Sequence, residues 1–155
     1  MTDIPLSVTD IRILQALQKD ASISNVQLAE KVGMSPSPCL RRVKQLEASG
    51  VIKRQVALLD RKKLGFGVLA TIQVRLQRHT EAGAEDFARA MNDLPEILSC
   101  WAMTGRQDFL LVAVANDIES FGDFVTHQLL SMPNVRDVQS SLVLKDYKND
   151  TAIPL

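Results

Sequence analysis

The chain has 155 residues, 46% of them hydrophobic and 23% charged, with 18 basic against 18 acidic side chains. That composition suits a soluble globular protein of one or two domains. No apolar run approaches the ~20 residues that span a bilayer, and Met1-Thr2-Asp3-Ile4-Pro5 lacks the basic and apolar segments of a signal peptide. No membrane partner is therefore expected, the cytoplasm is the default location, and Cys39 and Cys100 are expected as free thiols. The neutral total hides an asymmetry: residues 1–63 carry 11 Lys+Arg against 6 Asp+Glu, and residues 64–155 carry 7 against 12. A basic module for a polyanion joined to an acidic module with another task would produce it, as would a merely solvated basic face.

Ser7-Val8-Thr9-Asp10 offers capping side chains. Ile11, Leu14 and Leu17, widened by Ile13 and Ala16, then give an amphipathic helix ending near Lys19-Asp20. Ser24 and Gln27 have the spacing of a capping box. It opens a short second helix with Val26, Leu28, Ala29 and Val32 as its core, closed by Gly33. Ser35 is placed to cap a third helix, with Pro36 and Pro38 tolerable in a first turn whose amides have no intrahelical partner. Cys39, Leu40, Val43 and Leu46 make its buried stripe; Ser37, Arg41, Arg42, Lys44 and Gln45 fall outside it.

Helix, tight turn, helix is the arrangement that offers its second member to the DNA major groove. Ser37 and Pro38 would sit nearest base edges, with Arg41, Arg42 and Lys44 on bases or phosphates of double-stranded DNA and the capping Ser35 counted in the same DNA-binding set. After Gly50, residues 51–59 have strand character and carry Lys53 and Arg54, as a phosphate-gripping wing would. Arg61-Lys62-Lys63 leads to Gly65-Phe66-Gly67, which marks a boundary. The division expected is 1–60, a linker 61–67, and 68–155.

Val68 to Leu76 alternates as a half-buried strand, with Ala70, Ile72, Val74 and Leu76 on one face. A helix over 81–93 carries Ala84, Phe87, Ala88 and Met91. Strands follow over 97–103 and 109–115, joined by the turn Thr104-Gly105-Arg106-Gln107-Asp108. Asn116 and Glu119 are spaced to cap a further helix bearing Ile118, Phe121, Val125 and Leu129, and Val138, Ser140, Leu142 and Leu144 alternate along a last strand. The order βαββαβ is ferredoxin-like. The fold class is thus α+β, an N-terminal winged helix-turn-helix followed by a C-terminal ferredoxin-like βαββαβ domain. By parity Trp101 or Met103 would lie on the uncovered sheet face, which suggests self-association or scattered exposed apolar residues.

Catalysis finds no support. His79 and His127 have no metal-spaced neighbour, Cys39 lies on an apolar stripe, and no glycine-rich phosphate loop or Cys-x-x-Cys is present, so neither a metal nor a cofactor is expected. The competing non-enzyme interpretation is a stand-alone amino-acid sensor or assembly protein without sequence-specific DNA binding.

Over nearly its whole length the chain resembles the Lrp/AsnC (feast/famine) transcriptional regulators. The resemblance is carried by Thr9-Asp10 with Ile13-Leu14 and Leu17, by Asn25-Val26-Gln27-Leu28-Ala29, and by the block Ser35 to Glu47. Gly50-Val51-Ile52 and Thr104-Gly105 with Asp108-Phe109-Leu110-Leu111 complete it. It implies a DNA-binding regulator with an amino-acid-responsive second domain, paired through C-terminal sheets and wing regions, its dimers assembling to an octamer. It also implies an effector held between dimers near the Gly-x-x-Asp turn. Gly105 would let the ligand approach the backbone amides, Asp108 would take the α-ammonium, and Thr104 with Ser140 and Ser141 would supply hydroxyls. Arg106-Gln107 stand where many relatives have an acidic or small residue and then an aromatic, so Arg106 becomes a second candidate for the carboxylate. Apolar neighbours of the turn favour leucine or methionine; without the resemblance the same residues read as a plain hairpin turn.

Overall fold

The structure is a computed structural model and describes residues 5–78 and 80–155. The signal-peptide argument drawn from Met1 to Ile4, and the position of His79 after a strand, lie outside the described residues. Two compact units are present. One comprises the chain up to Leu58 together with Lys148–Leu155, the other Leu59–Tyr147.

The first unit is built on three helices, α1 (Val8–Lys19), α2 (Asn25–Val32) and α3 (Pro36–Ala48). Ser7 caps α1 and Ser24 caps α2, each in a reciprocal box with the residue three further on, Asp10 and Gln27. Losing such a cap costs about 1 kcal/mol. Gly33 ends α2 at φ 73°, in the left-handed region where a side chain would be strained. Ile13, Leu14, Ala16, Leu28, Ala29, Val32, Cys39, Val43 and Leu46 form one buried cluster. Two residues expected in that core stand outside it: Val26 and Leu40 are 62% and 43% exposed. The stripe on α3 is narrower than its hydrophobic content implies, because only positions 39, 43 and 46 face α1 and α2.

Ser35 occupies the cap position of α3 but makes no side-chain cap bond. The reason is local. A capping oxygen meets the amide of the second or third helical residue, and here the third is Pro38, which has none. The wing strand expected over 51–59 is absent from the single chain: residues 53–60 hold no regular structure, and Val56, Leu58 and Leu59 are exposed. A strand needs a partner for its amides, and in the described chain this segment has none. The stretch 153–155 lies along α1. Gln18 Nε2 donates to Ile153 O (3.1 Å), Gln18 Oε1 accepts from Ile153 N (2.6 Å), and Gln15 Nε2 donates to Leu155 O (2.8 Å).

In the second unit, β1 (Val68–Leu76), β2 (Ile97–Ala102), β3 (Phe109–Ala115) and β4 (Val135–Leu142) form one antiparallel sheet in the order β2-β3-β1-β4. α4 (Glu81–Asn92) and α5 (Ile118–Asp123) complete the βαββαβ order. The alternation on β1 holds residue for residue: Ala70, Ile72 and Val74 are fully buried and oppose Ala113, Leu111 and Phe109. The Phe87 and Phe109 rings meet with centroids 4.7 Å apart, seating α4 on the sheet.

Three details of this unit depart from expectation. The box that opens α5 is Asp117 with Ser120, not Asn116 with Glu119. Asn116 lies one residue before the cap, its backbone carbonyl accepting from Gly67 N at 3.1 Å. α5 runs on as a π-helical stretch, Phe124–Leu129, whose wider turn shifts the helical phase. Phe124 is therefore buried while Ile118 is 68% exposed. The last strand ends at Leu142, leaving Leu144 outside it and exposed.

Candidate functional site

α3 presents Ser37, Pro38, Arg41, Lys44 and Gln45 to solvent, and Ser37, Leu40, Arg41, Lys44, Gln45 and Ala48 line a shallow groove of about 350 Å³. Arg41 and Lys44 supply its positive charge. Ser35 lies at the entrance of the helix, and Lys53 and Arg54 are exposed in the irregular segment that follows it.

Arg42 does not join this set. Its guanidinium turns back to α1, where Nε and Nη2 both donate to Asp10, the latter at 2.5 Å, while Nη1 donates to Gln45 Oε1 at 3.0 Å. Asp10 is fully buried and also accepts from Ser7 N and Ser7 Oγ, each at 2.7 Å. The Arg42 hydrogen bonds, helped by Ser7 and opposed by burial, hold the Asp10 carboxyl well below the usual carboxylate range. A buried ionised carboxylate is tolerated when so fully bonded. In the single chain all three Arg42 nitrogens are thus committed to Asp10 and Gln45, which sets it apart from Arg41 and Lys44. A signal for this existed in the sequence. Asp10, Ile13, Leu14 and Leu17 share one helical face, and a charge there demands a partner from another element.

In the second unit the turn between β2 and β3 is bolted to the end of β1. Met103 N donates to Asp108 O (2.8 Å), Asp108 N to Val74 O (2.9 Å), and Leu76 N to Asp108 Oδ2 (2.8 Å). Thr104, Gly105 and Arg106 are exposed, and Gly105 has φ 110°. Gln107, noted in the sequence only for standing where many relatives have an aromatic, has its Oε1 buried with no hydrogen-bond partner among the described residues.

Ser140 and Ser141 are not brought to this turn within one chain. They oppose Ile72 and Thr71 on the far side of β1, whereas Asp108 bonds at Val74 and Leu76. Two strand spacings of about 4.8 Å and roughly three residues of rise put on the order of 14 Å between the backbones. Being consecutive on a strand, the two serines also face opposite sides of the sheet. Two hollows of this unit, about 560 and 550 Å³, include none of the effector candidates in their linings. Among the described residues no three metal-binding side chains come together, and no helix is long and apolar enough to cross a membrane.

Residues 69–153 match the family model described as "Lrp/AsnC ligand binding domain", and residues 6–53 match "Winged helix-turn-helix DNA-binding". A leucine-responsive regulatory protein of Rhizobium meliloti (strain 1021) is 40% identical over 94% of each chain. The transcriptional regulator AzlB of Bacillus subtilis (strain 168) is 38% identical over 98% of this chain and 97% of its own. A transcriptional regulator from Neisseria meningitidis, solved as a complex with L-methionine, superposes with a TM-score of 0.93 at 46% identity over 97% of each chain. These relatives are regulators of transcription, not enzymes. The chain belongs to the Lrp/AsnC family of transcriptional regulators, joining a DNA-binding winged helix-turn-helix to that family's ligand-binding domain.

Proposed function

We propose that α3 is the recognition helix of a sequence-specific regulator whose DNA binding or assembly responds to free methionine. The observation that carries the DNA part is the exposed face on which Ser37, Arg41, Lys44 and Gln45 stand together, opposite the buried Cys39, Val43 and Leu46. Ser35, Ser37 and Pro38 approach the bases from the helix N-terminus, Arg41 and Lys44 reach bases or phosphate, and Lys53 and Arg54 hold the flanking backbone. Methionine is preferred over leucine because the 46%-identical Neisseria relative holds L-methionine.

The effector belongs at the Thr104–Asp108 turn. Gly105 and its neighbours offer amides, and Arg106 offers a cation, for the carboxylate. Asp108 and the partnerless Gln107 oxygen are the acceptors for the ammonium. Ser140 and Ser141, remote within one chain, contribute from a neighbouring copy. That requires an oligomer, a dimer assembling to an octamer, and the half-exposed Trp101 and Met103 and the exposed Val56, Leu58 and Leu59 are surfaces it would cover. Residues 1–60 then form the DNA-binding part, 61–67 the linker and 68–155 the responsive part, whose last residues, Lys148–Leu155, return to the first unit; the family matches over 6–53 and 69–153 support this division. The site of action is the cytoplasm.

Duplex selected by the protein from a random library, titrated across a salt series, is the direct test. Affinity is expected to fall steeply with salt, and Arg41→Ala to weaken it by about 1–3 kcal/mol if Arg41 is bidentate to guanine. Salt-independent binding sinks the DNA assignment. A thermal-shift screen of the twenty amino acids should single out methionine. If Thr104→Val and Arg106→Ala leave the methionine shift intact, the turn is the wrong pocket.

A further inference from the structure

We propose that Asp10 is a positioning residue for DNA recognition: acting through Arg42, it fixes the Gln45 amide with its NH2, not its carbonyl, toward the duplex. The inference rests on the assignment of α3 as the recognition helix.

Among the described residues three reciprocal capping boxes open helices, Ser7–Asp10, Ser24–Gln27 and Asp117–Ser120. In the last two, the box residues are exposed and their side chains bond only within the first turn of their own helix. Asp10 differs on both counts, being the single buried charged residue among those described and bonded to another helix. A cap alone needs neither feature. What the carboxylate adds is a two-pronged grip on Arg42, which stands at the middle of α3. That grip fixes the plane of the guanidinium, because a fork of N–H groups meets two carboxylate oxygens in one orientation.

The consequence appears one turn further along α3. Arg42 Nη1 donates to Gln45 Oε1 at 3.0 Å, and a guanidinium can only donate, so the amide oxygen must face it. The amide NH2 then points away, and among the described residues it meets no acceptor. Gln45 is exposed in the same groove as Ser37, Arg41 and Lys44. With one lone pair of the oxygen taken by Arg42, the group offers its two N–H donors foremost. Such a group suits a phosphate oxygen or the O6 and N7 of guanine, and is biased against adenine, whose paired contact also draws on the amide oxygen that Arg42 holds. The relay Ser7–Asp10–Arg42–Gln45 thus converts a residue buried behind the helix into a restriction on what the helix can read.

The test uses the full chain and its library-selected duplex, with Kd measured from low to moderate salt and folding checked by helical signal and thermal melting. Gln45→Leu is expected to weaken binding about tenfold. In the Asp10→Asn/Arg42→Met background, which removes both charges together, binding should already be weakened about tenfold, and Gln45→Leu should add no further loss. The dependence of log K on log salt should keep its slope in that background, whereas Arg41→Gln should lower it by about 0.9 per bound chain, about 1.8 for a dimer. Wild-type affinity in the charge-free background, additive losses, or a slope reduced by the loss of Arg42 overturns the proposal. Should the double variant not fold, Gln45→Leu alone decides, since undiminished affinity overturns it. If Arg41→Gln and Lys44→Gln both leave slope and affinity untouched, α3 is not on the DNA and the parent assignment fails, a result distinct from the others.

Discussion

Gly105 and Gly122 offer a paired experiment on the effector turn. An ideal Cβ built at either position finds nothing within 4 Å, so neither substitution meets a steric clash. The backbone is what separates them. Gly105 lies at φ 110°, a conformation that L side chains rarely adopt, while Gly122 lies within α5 without a positive φ. Gly105→Ala therefore pays a conformational cost on the order of 1–3 kcal/mol with no compensating contact. Gly122→Ala should gain about 0.4–1 kcal/mol, chiefly by restricting the unfolded chain. In a domain of this size 1 kcal/mol moves Tm by roughly 4–8 °C. Gly105→Ala should thus melt at least about 4 °C below the wild type and Gly122→Ala about 2–8 °C above it. Repeating the scans with methionine separates the backbone from the ligand: Gly122→Ala should keep the full methionine shift and Gly105→Ala should lose most of it. Equal melting shifts for the two variants would mean that the turn does not hold Gly105 in this conformation. A stable Gly105→Ala with an intact methionine response would remove the turn from the effector site.

Acid should spare the Asp10–Arg42 pair longer than ordinary carboxylates. The Asp10 carboxyl is depressed in the folded chain, so its contribution is fully present above the unfolded value of about 3.9 and is lost as pH falls toward the lower folded value. The stability difference between wild type and Asp10→Asn should therefore be flat from pH 7 to about 5 and shrink below about 4; shrinkage already between 7 and 5 would contradict the geometry. Gln18→Ala removes two hydrogen bonds to Ile153, each contributing about 0.5–1.5 kcal/mol, and should speed hydrogen exchange at the Ile153 amide. Unchanged exchange there would mean that the 153–155 stretch does not rest on α1. Trp101→Glu places a charge on the half-exposed sheet face and should lower the assembled mass in light scattering; an unchanged mass excludes that face from the assembly.

Caps and alternation were the features most legible in the chain. Ser24 with Gln27, Gly33 and the nine residues of β1 lie where local chemistry demands, because each depends on neighbours a few residues away. What escaped was set by distant partners or by a broken period. Strand character at 51–59 describes what the side chains favour, yet a ladder needs a second strand that the single chain does not supply. The spacing through 118–129 assumed a uniform 3.6-residue turn, and the π-helical stretch over Phe124–Leu129 broke it, burying Phe124. Ser140 and Ser141 came from family resemblance alone, and no local pattern could have revealed their distance from the turn.

Arg42 shows how charge in a sequence misleads about charge at a surface. Three positive residues in four at 41–44 look like a groove-binding cluster, but one of the three is consumed by Asp10. Arg61, in the basic run after the wing segment, is likewise engaged: Nη1 donates to Phe66 O (3.0 Å) and Gly67 O (3.2 Å), and Nη2 lies 3.7 Å from Asp146. Arg41, Lys44, Lys53 and Arg54 remain as exposed candidates in the first unit. If all four sit on phosphates, each chain contributes a salt slope of about 3.6 and a DNA-bound dimer about 7. A measured slope near 7 for the dimer, reduced by about 1.8 when Arg41→Gln is present in both chains, fits that count. A slope well above 7 would require Lys62 and Lys63 to reach the backbone as well, and one near 3 would confine the phosphate contacts to α3.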